Sequence, residues 1–301
     1  MRKEDRGRQR KDRCRRPRRG GRQGERHQPR ALHHQAALQP ARRERARHRA
    51  DQEDPRRARR AVERRAVPDA SEDVARRLDE ITSLGCAGIL LLATEMRSDE
   101  WVWFERLNLP IVVLDIYLPL VTVDCVTINN RQGAYQATSV LVRESRGCPG
   151  HIVSTVPLRN FTERADGFFA AIRNGGFSSS SVPTHKVGSY LEEAERDFSA
   201  VLESQGLTAH GYFADNDQLA LGVMRALISH GYRAPEDVSA IGFDDLEIAR
   251  YSQPALSTAH VPKSYLGSVA VYRLLSLLEP GEWHPIRIEV GTSLVPRQST
   301  L

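Results

Sequence analysis

The chain has 301 residues, of which 40% are hydrophobic and 27% charged, so it can bury a core and is not a wholly disordered protein. Its net charge of +6 is unevenly spread, since residues 1–66 carry 25 Lys and Arg against nine Asp and Glu and the remainder is acidic. The four cysteines, Cys14, Cys86, Cys125 and Cys148, are too widely spaced for a C-x-x-C pair, which argues against a zinc site or a disulfide framework.

Residues 1–66 form an Arg-rich segment that contains no aromatic residue and no Ile. Such a segment cannot bury enough apolar surface to offset its ordering entropy, so we expect it to be disordered. Nothing before Gly85 provides the apolar run of a secretory signal, and the longest apolar run, 86–93, is too short to span a bilayer. We therefore expect a cytoplasmic protein with reduced cysteines and no membrane partner.

From about Val67 onwards, short blocks with helical and strand periodicity alternate, as in β-α-β units around parallel sheets. The helical pattern begins at Ser71 and recurs around 99–107, 131–142, 165–172, 191–202, 219–227 and 264–278. The strand pattern covers 87–92, 111–114, 151–155, 212–214, 238–243 and 286–290. The predicted fold class is α/β.

Polar residues cluster where the apolar strands end, at Asp115, 129–130, 216–217 and 244–245. Ligands of open parallel sheets bind outside the carboxyl ends of the strands, so these are candidate binding positions. The alternative for each single pair is a helix cap or a turn.

Sequence motifs of common enzyme classes are missing: there is no G-x-S-x-G, Gly-rich phosphate loop, G-x-G-x-x-G or H-E-x-x-H. The histidines 151, 185, 210, 230 and 260 are scattered and are expected to be surface residues. The pair Asp244-Asp245 lacks a second convergent carboxylate for metal or acid/base chemistry. The sequence thus predicts no enzyme, no cofactor and no metal.

An ordered series of motifs resembles the LacI/GalR family of bacterial transcription regulators. It includes Asp215-Asn216-Asp217-Gln218-Leu219-Ala220-Leu221-Gly222, the run Pro235 to Asp245, Pro254-Ala255-Leu256-Ser257-Thr258 and Leu294-Val295-Pro296-Arg297-Gln298-Ser299. Upstream, Asn129-Asn130 and Glu163-Arg164-Ala165-Asp166-Gly167-Phe168 fall where the family has related motifs. The resemblance covers about residues 70–300.

The resemblance implies a periplasmic-binding-protein-like core of two doubly wound subdomains with parallel sheets, joined by three crossings. We expect the N-terminal subdomain at 67–157 plus about 263–283, and the C-terminal one at 158–262 plus about 284–301. It also implies a small-molecule effector, expected to be a sugar, in the cleft between them. The family's pocket positions fall on Arg164, Asn216, Asp244, Asn130 and, in a weaker alignment, Tyr190.

Each of these residues has a simpler alternative. Arg164 could be a solvated residue of the first helical turn, Asn216 a helix cap, Asp244 a turn former and Tyr190 part of the core. Val261 stands where relatives commonly have Gln, so we expect one effector hydrogen bond to be missing.

The resemblance implies a homodimeric regulator that couples effector binding to operator DNA. The alternative is a sugar-binding protein of the same fold without DNA function, and a sugar-processing enzyme ranks third. The family's usual N-terminal helix-turn-helix and hinge are not recognisable in 1–66. This segment could be a basic arm that binds nucleic acid, a linker-like insertion or, as we favour from 40 Arg against four Lys, a reading-frame error. Without the first β-α unit, the first sheet is expected to have an unpaired edge.

Overall fold

The computed structural model describes residues 71–144 and 146–301 and has an α/β architecture with two mainly parallel sheets, as predicted. The Arg-rich segment 1–66, Cys14 and the expectations about them lie outside the described residues. The helices are α1 (Ser71–Ser83), α2 (Asn130–Arg143), α3 (Arg159–Asn174), α4 (Leu191–Gln205), α5 (Asp217–Ser229), α6 (Glu247–Tyr251) and α7 (Lys263–Leu278), with 3₁₀ turns at Ser98–Trp103 and Ser179–Ser181. The strands are β1 (Ile89–Leu92), β2 (Ile111–Leu114), β3 (Asp124–Ile128), β4 (Gly150–Ser154), β5 (Thr184–Val187), β6 (Gly211–Ala214), β7 (Ser239–Asp244), β8 (Ser257–His260), β9 (Arg287–Val290) and β10 (Ser293–Val295).

The first sheet contains four parallel strands in the order β1-β2-β3-β9, and α7 packs against it. Strand β1 lies at the edge of this sheet and pairs only with β2 among the described strands. The side chains of Leu90 and Leu92 on β1 are exposed. Within residues 71–301, this edge therefore presents both backbone groups without a strand partner and apolar surface.

The second sheet contains six strands in the order β10-β8-β7-β6-β4-β5, all parallel except for the antiparallel β10–β8 pair. Successive side chains of β6 point to opposite faces, as the strand period requires. Tyr212 and Ala214 pack in the core that includes α4 and α5, whereas Phe213 packs with residues of α2 and α3. Helices on both faces make this the doubly wound sheet that the sequence predicts.

The helix pairs of the second sheet approach closely at glycines. A Cβ atom on Gly167 of α3 would lie 2.1 Å from the carbonyl oxygen of Arg131 in α2, and one on Gly222 of α5 would lie 2.5 Å from that of Leu191 in α4. Glycine is required at both positions because a side chain would force the helices apart.

The chain crosses between the two sheets three times, after β3, after β8 and between β9 and β10, as the family resemblance implies. The expected boundaries at 157 and 284 do not fit the strand pairing. β4 belongs to the second sheet and β9 to the first, opposite to their expected placement. Strand periodicity identifies a strand but not its sheet, which is why the sequence misplaced these two.

Four strands, β3, β5, β8 and β10, were not predicted from the sequence. β3 begins with Asp124, which is unusual for a fully buried strand. Its carboxylate accepts hydrogen bonds from Nε of Arg273 at 2.7 Å and from the backbone of Ile286 at 2.9 Å, and these bonds make its burial possible.

Cys86, Cys125 and Cys148 are free thiols. Within 71–301, no described helix is both long and apolar enough to cross a membrane.

Candidate functional site

Arg164 is the centre of a polar cluster between the carboxyl ends of the two sheets. Its guanidinium donates from Nε to Oδ1 of Asn130 at 2.9 Å, from Nη1 to the carbonyl of Asp215 at 2.5 Å and from Nη2 to Oδ1 of Asp244 at 3.0 Å. It also stacks over the ring of Phe243 at 3.8 Å. With 3% exposure, Arg164 is not the solvated first-turn residue of the alternative interpretation.

Helix α3 places Arg164 there because its buried stripe begins with polar residues. Asn160 and Arg164 are one turn apart on the same face as Phe168, which packs in the apolar core. The apolar part of the stripe anchors the helix, and the polar part reaches the ends of β6 and β7. Arg164 can occupy this position because three of its donors are hydrogen-bonded and the carboxylate of Asp244 balances its charge.

Two predicted residues, Asn130 and Asp244, contact Arg164 directly. Asn130 is buried at the start of α2, and its Nδ2 also donates to Glu163 at 3.0 Å. Asp244 ends β7 with a φ of +105°, so it combines the turn role with an ion pair to Arg164. The Nζ of Lys263 donates to the carbonyl of Asp244.

Asp115, at the end of β2, brings the first sheet to the cluster. Its Oδ2 accepts a hydrogen bond from the hydroxyl of Thr94 at 2.7 Å, and its φ is +68°. Burial raises the pKa of Asp115, with the charge of Asp244 acting in the same direction, while Thr94, Arg164 and Asn160 oppose the shift. Asp115 and Asp244 thus flank Arg164 from the two subdomains.

A cavity of about 250 Å³ opens beside this cluster. It is lined by three segments, 94–98 after β1, 116–119 after β2 and 157–159 before and at the start of α3. Thr94 lines the cavity and also bonds to Asp115, so it connects the cavity with the Arg164 cluster. None of the five predicted site residues lines this cavity, and Arg164 and Asn130 are buried.

The other two predicted residues, Asn216 and Tyr190, lie outside the hydrogen bonds of the cluster. Asn216 caps α5, because its Oδ1 accepts from the backbone of Leu219 at 3.0 Å, as the simpler alternative predicts. Tyr190 is 68% exposed and precedes α4, so it is not the core residue of its alternative interpretation. Val261 is buried in the apolar core.

Some residues of this region were missed from the sequence, notably Thr94, Asn160 and Lys263. The polar residue Asn160, four positions before Arg164 on the apolar stripe of α3, was a signal that could have found the buried polar face. Thr94 follows β1 as Asp115 follows β2, and the same strand-end rule applies to it. The expectation of surface histidines was wrong for His151 and His185, which are buried.

Comparison with known proteins agrees with the fold and the motif series. A family model described as a periplasmic binding protein-like domain matches residues 148–300. The ribose operon repressor of Halalkalibacterium halodurans is 29% identical over 213 residues, 71% of this chain and 62% of that protein. The transcriptional repressor PurR of Actinobacillus pleuropneumoniae is 27% identical over 230 residues, 76% of this chain and 68% of that protein.

Among solved structures, a LacI family transcriptional regulator from Enterococcus faecium with bound ribose is similar. It is 25% identical, the match covers 77% of this chain and 85% of that one, and the TM-score is 0.68. The chain spans a little under two thirds of the length of the ribose operon repressor.

Proposed function

The chain belongs to the periplasmic binding protein-like family in its LacI/GalR-type form, and from this premise we propose that it is an effector-responsive transcriptional regulator. A small molecule, a sugar, binds in the cleft between the two subdomains and controls binding to operator DNA. The regulator acts in the cytoplasm as a homodimer, without enzymatic activity or cofactor. Arg164, Asp244, Asn130, Asn216 and Tyr190 are the proposed effector-binding residues.

The observation that carries this proposal is the threefold hydrogen bonding of Arg164 between the ends of the two sheets. A guanidinium has five N–H donors, and the three bonds leave donors for a ligand. The carboxylate of Asp244 accepts hydrogen bonds, so donors and acceptors alternate as vicinal hydroxyl groups require. The neighbouring cavity of about 250 Å³, which these residues do not line but which Thr94 connects to Asp115, is smaller than the ~300–1,000 Å³ of pockets for drug-sized molecules.

In this proposal the three crossings between the sheets carry the coupling between effector and DNA. A ligand that contacts both Asp115 and Asp244 binds best to one arrangement of the subdomains and shifts the chain towards it. Operator DNA that prefers another arrangement is then bound less tightly, by the same coupling free energy. The names of the two repressors and the ribose bound to the Enterococcus regulator support this assignment.

Ligand binding is tested by thermal unfolding of the full chain with a panel of monosaccharides that includes D-ribose, and with cellobiose. A ligand that binds only the folded state raises the midpoint. We expect one sugar to do so in the parent and not in Arg164→Gln or Asp244→Asn. Arg233→Gln is the matched control, since Arg233 pairs with Asp237 on the surface. An equal shift in all variants would place the ligand elsewhere, and the lack of a shift in the parent would contradict a sugar effector.

The second candidate is a sugar-binding protein without DNA function. Selecting the sequences that the chain binds from a random duplex DNA library at physiological salt distinguishes it from the regulator. Recovery of one common sequence, released by the sugar, supports the regulator. Binding that is independent of sequence and lost as salt rises is the behaviour of phosphate contacts alone. That outcome, or no binding, would favour the second candidate.

A further inference from the structure

Behind Arg164 lies a buried polar pair, His151 and Asp215, that the proposed ligand contacts do not use. His151 lies on β4, between β5 and β6 in the second sheet, with 1% exposure, and its Nε2 is 2.9 Å from Oδ1 of Asp215. Its ring stacks on Phe168 at a centroid distance of 4.5 Å and on Phe213 at 5.7 Å. An aromatic hydrocarbon ring would fill this space without the cost of burying a polar group.

Asp215 connects this pair with the cleft. Its Oδ2 accepts from the backbone N–H of Ser154 at 3.3 Å, and its own N–H donates to the carbonyl of Ile152 at 3.1 Å. Its carbonyl lies beyond the residues of β6 that pair with β7, and it accepts the bond from Nη1 of Arg164. The side chain of Asp215 is therefore held by β4, while its carbonyl bonds to Arg164.

We propose that His151 and Asp215 are positioning residues, which fix the backbone just after β6 so that the carbonyl of Asp215 holds the guanidinium of Arg164 in the cleft. The functional meaning of this pair depends on the proposed function, but its effect on Arg164 does not.

Side-chain NMR of the full chain with ¹⁵N-labelled arginine tests this without any ligand. The measured quantities are the solvent exchange of the Arg164 Nε–H and the rotation of its guanidinium, with the signals assigned from their loss in Arg164→Lys. In His151→Phe the stacking is kept and the hydrogen bond to Asp215 is lost. We expect exchange and rotation about tenfold faster, the factor for one lost hydrogen bond of ordinary net strength.

A second variant, His151→Phe combined with Asp215→Ala, removes both polar partners and so leaves no unpaired charge in the interior. It is expected to accelerate the solvent exchange and the guanidinium rotation of Arg164 in the same way. The internal control is Arg273, whose guanidinium bonds to Asp124 and to the carbonyl of His284 in the first subdomain. Its signals are expected to stay at the parent's values.

The matched control variant is His185→Phe. His185 is also buried in the second sheet and contacts an aromatic ring, Phe198, but it bonds to Thr208 and not to the cleft. It is expected to leave Arg164 unchanged. Unchanged Arg164 rates in both His151 variants, or equal acceleration of Arg273 or by His185→Phe, would overturn the positioning role and leave a purely structural one.

Discussion

In the interior of the second subdomain, the hydroxyl of Thr258 on β8 donates a hydrogen bond of 2.5 Å to Oδ1 of Asp217 at the start of α5. The other oxygen, Oδ2, accepts from the backbone of Leu246 at 2.7 Å. Burial raises the pKa of Asp217 to about 7, and the charges of Asp244 and Asp245 add to the shift against the two hydrogen bonds. Asp217 is thus a buried carboxyl group next to the proposed binding site.

We predict that Asp217 makes the chain less stable as the pH rises from about 4 to about 7. Its pKa is higher in the folded chain than its ordinary value of 3.8, so in this range the folded state binds more protons than the unfolded state. The contribution is on the order of 4 kcal/mol at most. In Asp217→Asn this part of the pH dependence is lost, as urea unfolding between pH 4 and 8 would measure. Parallel profiles of parent and variant would contradict the assignment.

We predict that Asp115→Asn stabilises the free protein at pH 7. Burial raises the pKa of Asp115, so its ionisation costs stability above its ordinary pKa, and that cost disappears as the pH falls towards 4. The amide oxygen of Asn keeps the bond from Thr94. The difference between the thermal midpoints of variant and parent should be positive at pH 7 and shrink with decreasing pH. A constant or negative difference would be the opposite result.

The family motifs pointed to Arg164 and Asp244, Asp244 also lies at a strand end, and the structure pairs the two side chains. Asn216 carries the same motif signal, but its side chain caps α5. Nothing in the sequence predicts the His151–Asp215 pair, because the two residues are 64 positions apart. His151 lies on β4 and Asp215 follows β6, and periodicity does not specify which strands pair. Likewise β3 was missed, since the partner of Asp124 is Arg273, 149 positions away.

Two helical glycines allow the effect of helix packing on stability to be measured separately from the effect of helix propensity. In Gly167→Ala the new Cβ meets the backbone of Arg131 in α2, so we predict a loss of about 3 kcal/mol of unfolding free energy. Gly267, inside α7, is the matched control because its Cβ would meet no atom within 4 Å. Gly267→Ala is predicted to stabilise by about 0.5–1 kcal/mol, since alanine is the better helix former. Chemical denaturation measures both, and equal effects would exclude a close α2–α3 approach.

The edge strand β1 is predicted to drive self-association. Its Leu92 is 72% exposed beside backbone groups that no described strand pairs, and such edges template pairing with other chains. Leu92→Lys puts a charge on this edge and should lower the sedimentation or light-scattering mass at high protein concentration. Leu120→Lys is the control, because Leu120 is 89% exposed but lies outside any strand. If both substitutions reduce association equally, exposed apolar area rather than the open strand edge is responsible.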